Sequence, residues 1–514
     1  MKSKSKNIEW HIVILPLLII AVLAGLIFAF PDQSANTIEY LRNFFVNKLG
    51  FCYTLLGLFI LGVALVLAFS KYGNIQLGKM ERPLYSNLKW GAMIFTSTMA
   101  ADILYWSLIE WVFYFDANPE GLAEYNIIQQ QQWSSTYPLF HWGPIPWAFY
   151  VLPAVAYAYR FFVKKKPKES LAHACEPLLG DKIHKLPGKI IDIFAVVGLL
   201  AGTATTFSLT TPLLSKVIAN VFHIEYSNTI SVLILILIAV VFTVTVLYGM
   251  KAISHLATVC VIFFVALLAI FFLCGPKIYI IESGISGIGN MLNNFLSLST
   301  WTDPLRATGD GIQGFPQNWT IFYWAYWIAW FVATPFFIAN ISKGRTIRQT
   351  ILGALGFGMA GTFTSFITFG NYGLFQQTSG KLDVAAMVES GMDNADIILE
   401  IFKQLPSSIH TLTLIVLMLA MVAFYASTFD AITLVMAGFC TKNLKEGEMP
   451  SKKLRCYWSF IFLILPIALI WAQSTLSALQ TFSIIAAFPL GIIMLLIVFS
   501  FFKELKNHKE AKKQ

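Results

Sequence analysis

The chain has 514 residues, 57% of them hydrophobic, 15% aromatic and only 12% charged, where a soluble domain carries about 25% charged residues. Its formal net charge is +9, yet it shows no basic patch beside an ordinary polar surface, the mark of a nucleic-acid binder. Uncharged runs such as 12–30 and 230–247 match the roughly 20 apolar residues that cross a bilayer core of about 30 Å. A soluble enzyme and a nucleic-acid partner are excluded, and an all-α, polytopic membrane protein is expected.

In chain order, Lys2, Lys4 and Lys6 precede a first apolar run of about 19 residues. It is longer than a signal-peptide core of about 7–15 and lacks a small-residue cleavage pattern, so it reads as a retained span. Apolar runs place further spans near 51–69, 90–115, 140–163, 190–221, 229–248 and 255–274, then 319–341, 350–374, 409–440, 457–473 and 476–502. That makes twelve. The third, fifth and tenth exceed the need of a vertical helix, so tilt or interruption is expected. Between the seventh and eighth, 281–318 reads as an extracellular connection with an amphipathic surface helix over 285–298.

Positive charge orients the spans. With the N-terminus inside, the termini and inner loops hold 29 of the 36 Lys and Arg. The other seven are Arg42, Lys48, Lys216, Lys277, Arg306, Lys381 and Lys403. Both termini are therefore expected in the cytoplasm. The six cysteines have neither disulfide nor zinc spacing and read as apolar packing. No GxxxxGK[ST] run exists to power an ATP-driven pump.

Ionisable side chains inside hydrocarbon are costly and face a cavity or a partner. Asp102, Trp106 and Glu110 recur at i, i+4 and i+8 on one side of the third span. Asp102 reads either as a ligand group or as hydrogen-bonded glue between helices, and Glu110, nearer the outer end, reads as structural. The fourth span opens with His141-Trp142-Gly143-Pro144-Ile145-Pro146-Trp147 and continues to Tyr150. In the eighth, Tyr323, Trp327, Trp330 and Thr334 share a face. An interfacial aromatic belt accounts for Trp319 but not for Trp330, some 16 Å deeper by helical rise. Deep aromatics beside a buried acid suit a cation–π cage for a quaternary ammonium group, which has no hydrogen bond to donate. In the tenth span, Ser427, Thr428 and Asp430 suit either a small hard cation or helix–helix hydrogen bonds. Gly202 to Thr206 in the fifth allow close packing or an ion path.

At these residues the chain resembles the betaine/choline/carnitine family of secondary transporters. The likeness is most specific over Gly314 to Trp327, Ile341 to Arg348, and His141-Trp142 with Trp147 and Tyr150. Among subgroups it is most similar to the carnitine/γ-butyrobetaine exchangers. The resemblance implies two inverted five-helix repeats (a LeuT-like fold) behind two extra N-terminal helices, commonly assembled as a homotrimer. The segments would be 1–89 with the two peripheral helices, a first repeat over 90–280, the connection 281–318, a second repeat over 319–502 and a short tail, 503–514. The family's aromatic box carries over to Trp142, Trp147, Tyr150 and Trp327, with Trp330 and Tyr326 beside them and Trp106 on the transport path.

Departures from the family pattern sharpen the expectation. Where many sodium-coupled members have a glycine-rich stretch, this chain reads Thr98-Met99-Ala100-Ala101-Asp102. An acid there resembles members that move choline, a net cation without the carboxylate of betaine or carnitine. Cys260 and Thr334 stand where ion-independent exchangers carry an arginine and a methionine. Ser427 and Thr428 match the hydroxyl pair that holds sodium in coupled members, and Asp102 is the alternative carrier of a coupling proton. The expected function is secondary transport of a trimethylammonium compound, choline favoured, through the bacterial cytoplasmic membrane, with Na+ or H+ as coupling ion. Ion-independent exchange and a related amino-acid symporter are the alternatives. A channel lacks its repeated pore segments here, and an enzyme its clustered catalytic groups.

Overall fold

The computed structural model describes residues 8–95, 100–166, 170–248, 250–308, 313–442 and 449–511. Lys2 to Lys6, Thr98 and Met99, on which part of the sequence reading rests, lie outside them. In hydrocarbon the backbone must satisfy its own polar groups, and long apolar runs do so as helices. Among the described residues the β-bridges are two isolated ones, Ile8 with Thr441 and Gln76 with Thr346.

The chain opens with α1 (Trp10–Ala29), α2 (Pro31–Lys48) and α3 (Gly50–Phe69). The third expected span holds α4 (Asn87–Phe95) and α5 (Ala100–Ile109), on either side of the undescribed residues 96–99, and α6 (Val112–Phe115); it is followed by α7 (Ile127–His141) and α8 (Pro144–Ala158). After the short α9 (Leu171–Ala174) and α10 (Glu176–Leu179) come α11 (Leu186–Phe222), α12 (Asn228–Tyr248), α13 (Met250–Cys274), α14 (Lys277–Asn293) and α15 (Phe295–Thr300). The remainder begins with α16 (Ile321–Trp330), α17 (Thr334–Ile341), α18 (Ile347–Ser365), α19 (Asn371–Thr378), α20 (Val384–Glu389) and α21 (Asn394–Lys403). It ends with α22 (Ser407–Phe439), α23 (Lys452–Trp471) and α24 (Leu476–Ala511).

Helix lies under each of the twelve expected spans. By length and composition alone, seven described helices suffice to cross a membrane, or nine if each sharply bent pair is one span. One pair is Pro316–Trp330 with Thr334–Ile341, bent by 57°, so the eighth span is broken just after Trp330. The other bends by 110° between Cys274 and Lys277. It lays α14 across α7, where Ser135 donates to the Ser283 carbonyl at 3.0 Å and Asn290 donates to Thr136 at 3.0 Å. This is the amphipathic segment expected at 285–298, begun earlier in the chain.

Of the two alternatives, tilt or interruption, the fifth and tenth spans are not interrupted: they are continuous helices of 37 and 33 residues, about 55 and 50 Å long. Two details differ from the sequence reading. No element was expected at 31–48, yet α2 forms there. Its buried Arg42 reaches Gln313, Gln480 and Asn318 at 3.1–3.2 Å, tying α2 to the segment before α16 and to α24. The fourth span was expected as one run over 140–163. Instead α7 ends at His141 and α8 starts afresh with Pro144 at its first position, where a missing N–H costs nothing. Gly143 makes the corner, because a Cβ there would meet the Leu139 carbonyl oxygen at 2.5 Å.

Asp430, grouped in the sequence with Ser427 and Thr428, is committed elsewhere: its carboxylate pairs with the Arg455 guanidinium of α23. Arg455 is buried, and removing one partner of a buried pair strands the other charge at a cost of about 3 kcal/mol. Arg455→Met is expected to lower the thermal midpoint of the purified protein by several degrees. Asp430→Leu/Arg455→Met should recover most of that loss by scanning fluorimetry.

Candidate functional site

The corner at Trp142-Gly143 and the first turns of α8 bring Trp142, Trp147 and Tyr150 against α16. Trp327 stands at their centre, its ring centroid 5.4 Å from Trp142, 5.3 Å from Trp147 and 4.9 Å from Tyr150. Trp147 and Tyr150 lie 6.1 Å apart. The interplanar angles run from 40° to 84°, so the rings stand as walls at angles to one another. All four are buried. The indole N–H groups of Trp147 and Trp327 have no hydrogen-bond partner; these rings are held by packing and offer π faces. The Tyr150 hydroxyl is hydrogen-bonded to Thr334, at the break of the eighth span.

Asp102 sits beside this cluster on α5, buried. It accepts hydrogen bonds from Tyr326 of α16 and from Thr206 of α11, the latter at 3.1 Å, and the two hydroxyls are 2.7 Å apart. Three spans therefore meet at one carboxylate. Tyr150 lies within electrostatic reach of that charge. Tyr326 thus bonds Asp102 beside the box, and Trp330, a turn deeper, rests its indole near Gly202 of α11.

Glu110, read from the sequence as structural, proves to hold a cage member. Its Oε2 accepts from the Trp142 indole N–H at 2.7 Å and its Oε1 from the Tyr114 hydroxyl at 2.6 Å. Tyr114 is 2.8 Å from His141 Nδ1, and His141 Nε2 is 3.1 Å from the Thr320 hydroxyl. This buried network spans the third, fourth and eighth spans and fixes the Trp142 ring. The sequence signal was available: Glu110, Tyr114 and His141 are polar residues in apolar runs.

Trp106 does not touch the box. It packs on Tyr323 at 5.6 Å and Trp319 at 6.5 Å, and Tyr323 in turn lies 5.9 Å from Trp142. Phe113 stacks on Trp319 at 4.8 Å. Above them a cleft of about 390 Å³ is lined by Asn118, Thr308, Phe315, Asn318 and Trp319. The cleft, Trp319, Trp106 with Tyr323, and the four-ring box form a continuous aromatic succession.

A family model for the betaine/carnitine/choline transporters matches residues 11–510. The chain belongs to that family. Among curated relatives, a "Carnitine transporter" of Acinetobacter baumannii is 29% identical over 85% of this chain and 78% of its own length. A "Probable glycine betaine transporter" of Desulfitobacterium hafniense is 32% identical over 93% of each. "Uncharacterized transporter YeaV" of Escherichia coli is 28% identical over 88% of this chain and 92% of its own length. Members of the betaine/carnitine/choline family are transporters, and this one is a multi-pass membrane protein.

Of the cation ligands read from this family's pattern, Thr428 is buried in α22 and Ser427 is partly exposed beside it. The neighbouring Tyr425 is hydrogen-bonded to Thr210 and Thr211 of α11. α22 packs against α5, and residues 96–99 lie outside the described residues. Cys260 is buried in α13 and Thr334 in the break of the eighth span. Among the described residues no cluster of His, Cys, Asp or Glu forms a metal site.

Glu110→Gln keeps the side chain's length but leaves one oxygen acceptor where Trp142 and Tyr114 use two. Losing one buried hydrogen bond costs about 1.5 kcal/mol. The expected result is about a tenfold weaker trimethylammonium affinity in a folded protein, read by ligand-dependent tryptophan fluorescence.

Proposed function

We propose that the protein moves a trimethylammonium compound across the bacterial cytoplasmic membrane by alternating access, with choline favoured over carnitine and glycine betaine. The observation that carries this reading is Trp327 in contact with Trp142, Trp147 and Tyr150 at 4.9–5.4 Å. A methylated ammonium group offers no N–H, so ring faces are its natural ligands, and four rings exclude water from it. The rings already touch, so entry of the cation spreads them. Binding energy spent on one arrangement of the spans shifts the inward–outward equilibrium. Replacing Trp327 by Leu should lower uptake of the labelled substrate at least about tenfold while membrane insertion is unchanged. Unaltered uptake would remove the cage from the account.

The preference for choline rests on Asp102. A net cation gains from a fixed negative charge near the box, whereas betaine and carnitine bring their own carboxylate. Two relatives are named for carnitine and glycine betaine, which favours zwitterion transport or exchange as the second reading. Asp102→Asn separates the two: choline uptake should fall several-fold more than betaine or carnitine uptake. An equal fall for all three substrates assigns Asp102 to holding the spans together through Tyr326 and Thr206.

For coupling, the hydroxyls of Ser427 and Thr428 would hold Na+ as hard oxygen ligands, and Asp102 would carry the proton if H+ couples instead. With Ser427→Ala/Thr428→Ala, sodium stimulation of uptake should disappear; stimulation that persists contradicts the sodium site. The bias of 29 of 36 basic residues to one side supports cytoplasmic termini, and the family resemblance supports a homotrimer.

A further inference from the structure

Outside the residues already described, the box has a fourth wall. On α18 and the turn after it, Gly358, Thr362 and Phe366 recur at i, i+4 and i+8, one side of a helix. Each touches a tryptophan of the box. A Cβ on Gly358 would stand 2.5–2.6 Å from three ring atoms of Trp147. The Thr362 hydroxyl donates to the Trp142 carbonyl at 2.8 Å, and the Phe366 ring lies 5.1 Å from that of Trp142. Trp147 thus packs on the bare backbone of α18 and against Trp327, while Trp142 is held from its main chain.

We propose that the Gly358–Thr362–Phe366 stripe positions Trp147 and Trp142 and so sets the width of the cage, making the ninth span a determinant of how many methyl groups the ammonium carries. The inference rests on the cage reading above. With alanine at 358 the Trp147 ring has to withdraw by about 1 Å to regain ordinary contact, and its neighbours in the box, Trp327 at 5.3 Å and Tyr150 at 6.1 Å, are close enough to feel the shift. The cage narrows, and the bulkiest head group loses most. Alanine is also the better helix former, so weakening of α18 itself is not the cause. Thr362→Val acts from the other side, freeing the Trp142 carbonyl and loosening the corner at Gly143.

The test is equilibrium binding of choline and of its dimethylamine analogue, dimethylethanolamine, to purified wild type, Gly358→Ala and Thr362→Val. Monodispersity is checked for each protein. The stripe predicts about a tenfold loss of choline affinity in Gly358→Ala and a smaller loss for the dimethyl compound, so their affinity ratio shifts at least about threefold. Thr362→Val should weaken choline binding and narrow the discrimination between the two. If Gly358→Ala is poorly folded, the Thr362→Val ratio decides alone. Equal losses of both ligands, or an unchanged ratio in the folded variants, overturn the stripe as a selectivity wall and leave the cage reading standing. No saturable binding of choline, glycine betaine or carnitine to wild type overturns both.

Discussion

The contact of Trp327 with rings from the fourth span is the interaction on which the rest of this structure depends. It needs a helix break at Trp142-Gly143, so that two tryptophans five residues apart reach the same partner. It also needs a second break after Trp330, which lets Thr334 bond Tyr150. Breaks in membrane helices free backbone groups that hydrocarbon does not satisfy, so they are tolerated where they face a cavity or are buried in protein. Here both border the box. The breaks and the cage are one design.

Polar groups in the same region follow the same economy. Asp102, Glu110 and His141 are fully enclosed, and each is hydrogen-bonded to a hydroxyl or indole of a neighbouring span. Such partners make an enclosed charge tolerable and join the third span to the fourth, fifth and eighth. The unpartnered indoles of Trp106, Trp147, Trp327 and Trp330 contrast with this thrift. Those of Trp106, Trp147 and Trp327 belong to the succession that runs from the cleft to the box.

Much of this was legible before any coordinates. Apolar runs located the helices because hydrocarbon imposes its length on them, and the depth of Trp330 showed that a belt is not the whole explanation of the tryptophans. The resemblance brought Trp142, Trp147, Tyr150 and Trp327 together by number. What escaped was whatever depends on a partner far away in the chain. Asp430 reads as an ion ligand until Arg455, 25 residues on, claims it. Glu110 reads as structural until Trp142 is folded against it. Tyr326 reads as a box neighbour of Trp327, and its bond to Asp102 appears only once the third span is folded against it. Gly358 and Thr362 carried no chemical signal at all: a glycine is recognised as a seat only when the ring resting on it is seen. Helix α2 was missed because its residues are polar and its stability comes from Arg42 and its distant acceptors.

The central claim is that the box around Trp327 holds the methylated head group, and an experimental structure with bound choline tests it most directly. The account predicts the quaternary nitrogen within about 6 Å of the Trp327, Trp147 and Tyr150 ring centroids, with those rings spread apart to admit it. A nitrogen found only in the outer cleft beside Trp319, with the four rings still in mutual contact, would contradict it.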